Sequence, residues 1–264
     1  MDRTLGTYRY QKLKVLSGTV ASDFFASFVY GEERNRGSRL ARVKNRRIES
    51  RTSTSAGAPT DSAAGVRSRI MEATFAVLME RGYAGASTIE IARRAKVSKR
   101  DLYALFGSKQ GILVAMIAGR SARMRKPLAL PAVADRAALD ATLTSFGATL
   151  LKEICHPTVA ALFRLAILEA ERSPEVARAL DENGRTANRT ALVAFLTRAH
   201  ADGLIAGAEP ELMASQFLSL LFGDVLLRLT MRVIEAPSAR EAARRTRAAT
   251  VALLDLYPDA RNSA

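Results

Sequence analysis

Between residues 66 and 126 the apolar side chains recur in helical steps. Ile70, Ala73, Thr74, Val77 and Leu78 stand at i, i+3, i+4, i+7 and i+8, which puts them on one face of a helix. Arg81-Gly82 supplies its stop, because glycine adopts the left-handed backbone that ends a helix. A second helix is predicted after Ser87, whose hydroxyl can cap while Glu90 reaches back, and it runs from Ile89 to Ala95. Only Lys96 and Val97 separate it from a repeat of the same signal, Ser98 followed by Asp101. Two short helices joined by so tight a turn predict a helix-turn-helix. The third helix, Lys99 to Leu105, turns Leu102 and Phe106 inward. Gly107 ends it, and Ser108 caps a fourth helix that begins at Lys109.

Residues 134–257 divide at clear breakers into five more helices, about 134–155, 158–171, 174–202, 211–234 and 238–257. Pro157, Pro174, Pro210 and Pro237 each sit near a helix start, where a missing N–H costs little, and Gly203 and Gly207 close the long middle helix. The expected fold is all-α with about nine helices. The 211–234 segment is apolar almost all round and so calls for burial on every side, in the core or against a second subunit. Asp224 in that run needs a partner, and Arg228 one turn on is correctly spaced. Residues 1–64 show no sustained periodicity. They run through Arg34, Arg36, Arg39, Arg42, Lys44, Arg46, Arg47 and Arg51 into a Ser, Thr, Ala and Gly stretch, and read as a disordered arm. Such an arm either adds phosphate contacts or is a solvated tail, or an artefact of a start codon placed too early.

Charge narrows the partner. Forty Lys and Arg against twenty-six Asp and Glu leave a net charge of +14, which points to a polyanion, nucleic acid or a membrane surface. The arm carries +6, residues 65–126 carry +9, and residues 127–264 carry −1, so the helix-turn-helix segment holds the largest share. No run of eighteen uncharged apolar residues exists, which argues against a membrane span. One cysteine, Cys155, and two histidines, His156 and His200, are too few for a disulfide scaffold or an obvious zinc module. Cys155 and His156 could sense oxidants or pH, or simply fill a helix end. Without a secretory signal the expected compartment is the cytoplasm. No carboxylate pair, activated nucleophile, phosphate-binding glycine loop or metal cluster stands out. An enzyme is not expected, nor a cofactor.

The run Ile70, Gly82-Tyr83, Thr88-Ile89, Ile91-Ala92, Ala95, Val97-Ser98, Leu102-Tyr103, Phe106, Ser108-Lys109 and Leu113 resembles the DNA-binding domain of TetR-family transcriptional regulators. More loosely, Phe163 to Asn183 and Gln216 to Leu229 look similar to the C-terminal domain of AefR-like members. The resemblance implies a helix-turn-helix domain over 65–112 and a linking helix and linker over 113–133. It also implies a helical ligand-binding and dimerisation domain over 134–257, before a tail at 258–264. It implies a homodimeric repressor on a double-stranded DNA operator, released by a small apolar or amphipathic effector. A non-specific or architectural DNA binder without an inducer is the alternative.

By position, Lys99 and Arg100 match base-contacting residues at the start of the recognition helix. Thr88, Tyr103 and Lys109 match phosphate contacts, and Ser98 completes the DNA-contacting set. Two departures stand out. Lys96 occupies a turn position usually held by Gly, where a left-handed backbone would cost roughly 1–2 kcal/mol. Asp101 replaces a small residue and reads as a cap partner or a reader of cytosine N4. For the effector, Phe146, Leu150, Phe163, Ile167 and Phe195 are candidate lining residues, although an apolar stripe at helical spacing also describes plain core. For the dimer interface, which the resemblance places on the last two helices, the candidates are Phe217, Leu221, Asp224 and Arg228.

Overall fold

The computed structural model describes residues 62–129 and 133–259, and every regular element among them is helical. The arm expected at 1–64 therefore lies outside the described residues, except for residues 62–64, which start the first helix. Helix α1 spans Ala63–Gly85, capped by Ser62, which accepts the Gly65 N–H at 3.2 Å. Ile70, Ala73, Thr74, Val77 and Leu78 all face inward, as their spacing predicts, and the backbone leaves the helical region at Gly82 with φ 70°. Helix α2 is Thr88–Ala95, α3 is Lys99–Phe106 and α4 is Lys109–Arg125, continued by a 3₁₀ turn at Lys126–Ala129.

Serine caps all four of these starts in the same way. Ser87 accepts from the Glu90 N–H, Ser98 from the Asp101 N–H and Ser108 from the Gly111 N–H, each satisfying one of the donors a helix start leaves open. Between α2 and α3 Lys96 takes up the left-handed conformation, φ 54° and ψ 46°. Between α3 and α4 the chain turns so sharply that a Cβ on Gly111 would stand 2.0 Å from the Phe106 carbonyl oxygen. Only glycine fits there, and that close approach fixes the end of α3 against the start of α4.

The C-terminal part comprises α5 (Arg136–Ile154), α6 (Pro157–Leu168), α7 (Pro174–Leu180), α8 (Ala187–Ala201), α9 (Pro210–Phe222), α10 (Val225–Thr230) and α11 (Ala239–Leu256). Pro157, Pro174 and Pro210 each occupy the first turn of their helix. Two predicted helices are interrupted. The 174–202 helix carries a π-helical stretch, Asp181–Thr186, between α7 and α8. The 211–234 helix breaks at Gly223, whose φ of 48° and ψ of −123° no helix accommodates. At the start of the expected 258–264 tail, the Pro258 carbonyl accepts from the Ala206 N–H at 3.0 Å, and Asp259 is buried. Arg136 draws this corner together. Its guanidinium donates to the carbonyls of Leu204 and Tyr257, at 2.5 and 2.7 Å, and to that of Leu254, occupying acceptors that the end of α11 leaves open.

Two hydrophobic cores result, and they do not divide the chain at the linker. One gathers Ile70, Val77 and Leu78 of α1, Ile91 of α2, Leu102 of α3 and Ile112, Leu113 and Met116 of α4 with Leu162 and Leu165 of α6 and Val176 and Ala179 of α7. The other gathers Leu143, Phe146 and Leu150 of α5 with Leu192, Phe195, Met213, Phe217, Leu221 and Leu253, and it takes in Met124 from the last turn of α4. Thus α6 and α7 share the core of the helix-turn-helix head, although the sequence assigns them to the other domain.

The left-handed turn at Lys96 yields a prediction. Lys96→Gly should relieve the steric cost of that backbone while adding unfolded-chain entropy, for a net stabilisation of about 0.5–1 kcal/mol. Urea unfolding of both proteins measures it, and an unchanged or lower midpoint would contradict the strain.

Candidate nucleic-acid interface and its adjoining cavity

The basic residues of the head divide into those that are internally paired and those that face out. Arg94 bridges helices, donating to Glu80 of α1 at 2.6 and 2.7 Å and to Glu90 of α2 at 2.7 Å, while Arg93 forms a two-pronged pair with Glu90 at 2.8 and 3.0 Å. Hydrogen bonds from Arg93 and Arg94 hold the Glu90 carboxyl down at about 2. Glu90 therefore does not complete the expected reciprocal cap at Ser87; its carboxylate is drawn to the two arginines. Arg67 donates to the Leu105 carbonyl at 3.2 Å and lies over the Phe106 ring at 4.5 Å. Lys96, Lys99 and Arg100 are exposed and form no ion pair among the described residues. They cluster at the turn and the start of α3, where unpaired N–H groups add a partial positive charge.

The remaining predicted contacts surround that cluster. Tyr103 is 41% exposed, its hydroxyl lies 3.3 Å from the Thr88 hydroxyl, and the Lys99 ammonium sits 5.7 Å from its ring centre. Thr88, Lys99 and Tyr103 thus form one continuous polar surface across α2 and α3. Ser98 and Asp101 are spent on the cap: the Ser98 hydroxyl accepts the Asp101 N–H at 3.0 Å and donates to the Asp101 carboxylate at 2.7 Å. Of the two readings of Asp101, the capping one matches this geometry. Lys109 is half-buried, donates to the Tyr83 carbonyl at 2.6 Å and stands 4.2 Å over the Tyr83 ring. Burial lowers its pKa, against the opposing pull of Glu175 and Glu169. One of its three protons braces α4 against the end of α1.

Behind the head, where the two cores meet, lies a cavity of about 300 Å³. Met116, Ile117, Arg120, Ser121 and Met124 of α4 form one wall. Leu150 and Ile154 of α5, Val159, Leu162 and Phe163 of α6, Leu180, Gly184, Asn188 and the α9–α10 break at Leu218, Phe222, Gly223 and Leu226 close it. Of the five predicted lining residues, Leu150 and Phe163 are there. Phe146 and Phe195 are not: both are buried in the second core, Phe146 stacked on Phe217 with ring centres 6.4 Å apart. Ile167 is 67% exposed near the end of α6, turned away from the cavity. The missed residues carried a signal, because Arg120 and Asn188 interrupt the apolar spacing of α4 and α8, and a polar residue on a buried stripe marks either an internal partner or a lined space.

Charge inside the cavity is largely met. Arg120, 5% exposed, donates to the Glu153 carboxylate at 2.5 Å, and burial pushes its pKa down to about 10. His156 caps α6 by accepting the Thr158 N–H at 3.3 Å, and burial beside Arg120, Arg123 and Lys152 lowers it to about 4. Burial pushes the Cys155 thiol up to about 11. Neither residue titrates near neutral pH, so neither suits the pH or oxidant sensing that their position allowed.

The interface candidates on α9 and α10 also change place. Phe217 and Leu221 are fully buried within the single chain, because α9 turns that face onto α5 and α11. Asp224 and Arg228 do pair, at 3.5 Å, but both are largely exposed, where such a pair contributes little. The outward apolar residues of this region are instead Leu212 and Leu220 of α9, Leu227 of α10, Met231 and Val233 after it, and Val251 and Leu256 of α11. No single helix among the described residues is long and apolar enough to cross a membrane.

Comparison with known proteins agrees with this architecture. Residues 70–116 match the family described as bacterial regulatory proteins, tetR family, and residues 141–259 match the AefR-like transcriptional repressor C-terminal domain. The HTH-type transcriptional regulator YvkB of Bacillus subtilis strain 168 is 27% identical over 174 residues, 65% of this chain and 88% of the relative. A TetR transcriptional regulator from Agrobacterium tumefaciens superposes with a TM-score of 0.60 at 27% identity, covering 72% of this chain and 94% of that one. The flavonoid-responsive regulator FrrA gives 0.60 at 26% identity, covering 76% and 100%.

The Arg120–Glu153 pair can be tested without a ligand. Glu153→Gln leaves a buried guanidinium without its counter-charge and should cost about 2–3 kcal/mol, at or below the low end for fully buried pairs because Glu153 is partly exposed. A calorimetric melting temperature equal to the parent's would show that the pair does not hold the cavity wall.

Proposed function

The chain belongs to the TetR family of transcriptional regulators, and on that premise we propose that it is a cytoplasmic, homodimeric, ligand-responsive repressor. It is a DNA-binding regulator by fold and domain content. In the proposed cycle two copies bind a pseudo-palindromic operator, and a small apolar or amphipathic molecule entering the cavity releases them.

One observation carries this reading: α4 serves both the head and the cavity. Its first turns pack Ile112 and Leu113 under α3, and its later turns line the cavity with Met116, Ile117, Arg120 and Met124. Gly111 leaves no slack between α4 and α3. A molecule that fits the cavity better with α4 displaced would therefore displace the recognition helix, and differential affinity for the two positions is all that release requires. The mostly apolar wall supports an apolar effector, and the flavonoid response of FrrA supports a small-molecule signal. Dimerisation is supported by Leu212 and Leu220, two turns apart on the outer face of α9, and by Val251 on the adjoining α11.

The exposed start of α3 is assigned to base edges in the major groove, with Lys99 and Arg100 as readers, Thr88, Tyr103 and Lys109 on flanking phosphates, and Ser98 at the cap between them. Footprinting on fragments from around the coding region should reveal a two-fold protected site. Arg100→Ala or Lys99→Ala should relax its specificity at a cost of about 1–3 kcal/mol. Equal retardation of all sequences, weakening uniformly with salt, would support an architectural DNA binder instead. Sedimentation should give a dimer that Leu220→Glu drives toward monomer; a monomeric parent chain would refute the dimer.

A further inference from the structure

The cavity wall contains a buried hydrogen-bond acceptor that the protein does not satisfy. Asn188, on the first turn of α8, is 4% exposed and lines the cavity. Its Nδ2 donates to the Gly184 carbonyl at 2.8 Å and approaches the Met124 sulfur at 3.3 Å. That pairing fixes the amide orientation, since the reversed amide would set oxygen against the Gly184 carbonyl oxygen. Oδ1 is therefore the acceptor, and it is buried without a protein donor. The π-helical stretch Asp181–Thr186 precedes it and contributes both Gly184 and its carbonyl to the arrangement.

Each of the other polar side chains at the cavity has at least one protein partner. The Arg120 guanidinium meets Glu153 at 2.5 Å, Ser121 accepts from Arg125 at 2.5 Å, and Arg185 pairs with Asp181 at 3.2 Å. A carboxylate or other deprotonated ligand would offer no proton to Asn188. From these contacts we propose that the effector is a neutral, mainly apolar molecule carrying a hydroxyl or N–H group that donates to Asn188 Oδ1. This rests on the reading that the cavity takes the effector, and it assigns the effector's chemical class.

Three matched probes separate the possibilities: para-phenylphenol, biphenyl and para-phenylbenzoate, titrated calorimetrically into the full chain. A buried acceptor left without a donor is costly, so para-phenylphenol should bind about tenfold or more tightly than biphenyl, with the benzoate weakest. In Asn188→Leu the preference of the phenol over biphenyl should vanish while biphenyl still binds. Equal binding of the phenol and biphenyl to the parent chain, or tightest binding of the benzoate, would overturn the donor requirement and leave the cavity as a ligand site. Binding of none of the three would count against the cavity itself, and so against the effector reading on which the proposal rests.

Discussion

Helix α4 spends its first turns in one hydrophobic core and its last turn in another. Ile112, Leu113 and Met116 are buried with the helix-turn-helix, and Met124 is buried with α5 and α8. Interiors pack densely enough that such a helix cannot shift at one end without repacking the other. The cavity lies along the stretch between the two ends, and Gly111 ties the helix start to the recognition helix. The placement of α6 and α7 follows from the same constraint. Val176 and Ala179 lie on α7, which packs on α4, while Leu162 and Leu165 lie on α6, which packs on α1 and α7, so these two helices form a bridge between head and body.

Polar side chains of the head divide in a comparable way. Arg93 and Arg94 neutralise Glu80 and Glu90 and hold α1 against α2, and Lys109 braces the start of α4 on Tyr83. Among the basic residues left exposed without an ion pair, Lys96, Lys99 and Arg100 lie together, while Arg81 and Lys126 stand apart from them. That cluster shares its surface with the start of α3 and the linked hydroxyls of Thr88 and Tyr103. An interface of this kind combines positioning by phosphates with reading of base edges.

Inside the body, an apolar cavity with its ionic groups matched and one acceptor open differs from a plain packing defect. Burying an amide oxygen without a donor is unfavourable, and a core built for stability alone would place an apolar residue at position 188. The break at Gly223 contributes as well. Leu218 and Phe222 before it and Leu226 after it all line the cavity.

The sequence by itself determined most features that depend on near neighbours in the chain, the break at Gly223 and the π-helical stretch Asp181–Thr186 excepted. The inward face of α1, the caps at Ser87, Ser98 and Ser108, the stop at Gly82, the left-handed turn at Lys96 and the prolines opening α6, α7 and α9 are local, since each is set by residues within about one helical turn. Tertiary structure alone decided which apolar stripe became core and which became cavity. Phe146, Phe195, Phe217 and Leu221 have the same spacing and hydrophobicity as Leu150 and Phe163, and only the packing of distant helices separates them. The pairing of Arg94 with Glu80, the capture of the α11 carbonyls by Arg136 and the open acceptor on Asn188 are likewise set by side chains that meet across the fold. Periodicity states that a residue is buried; what it is buried against is a property of the assembled helices.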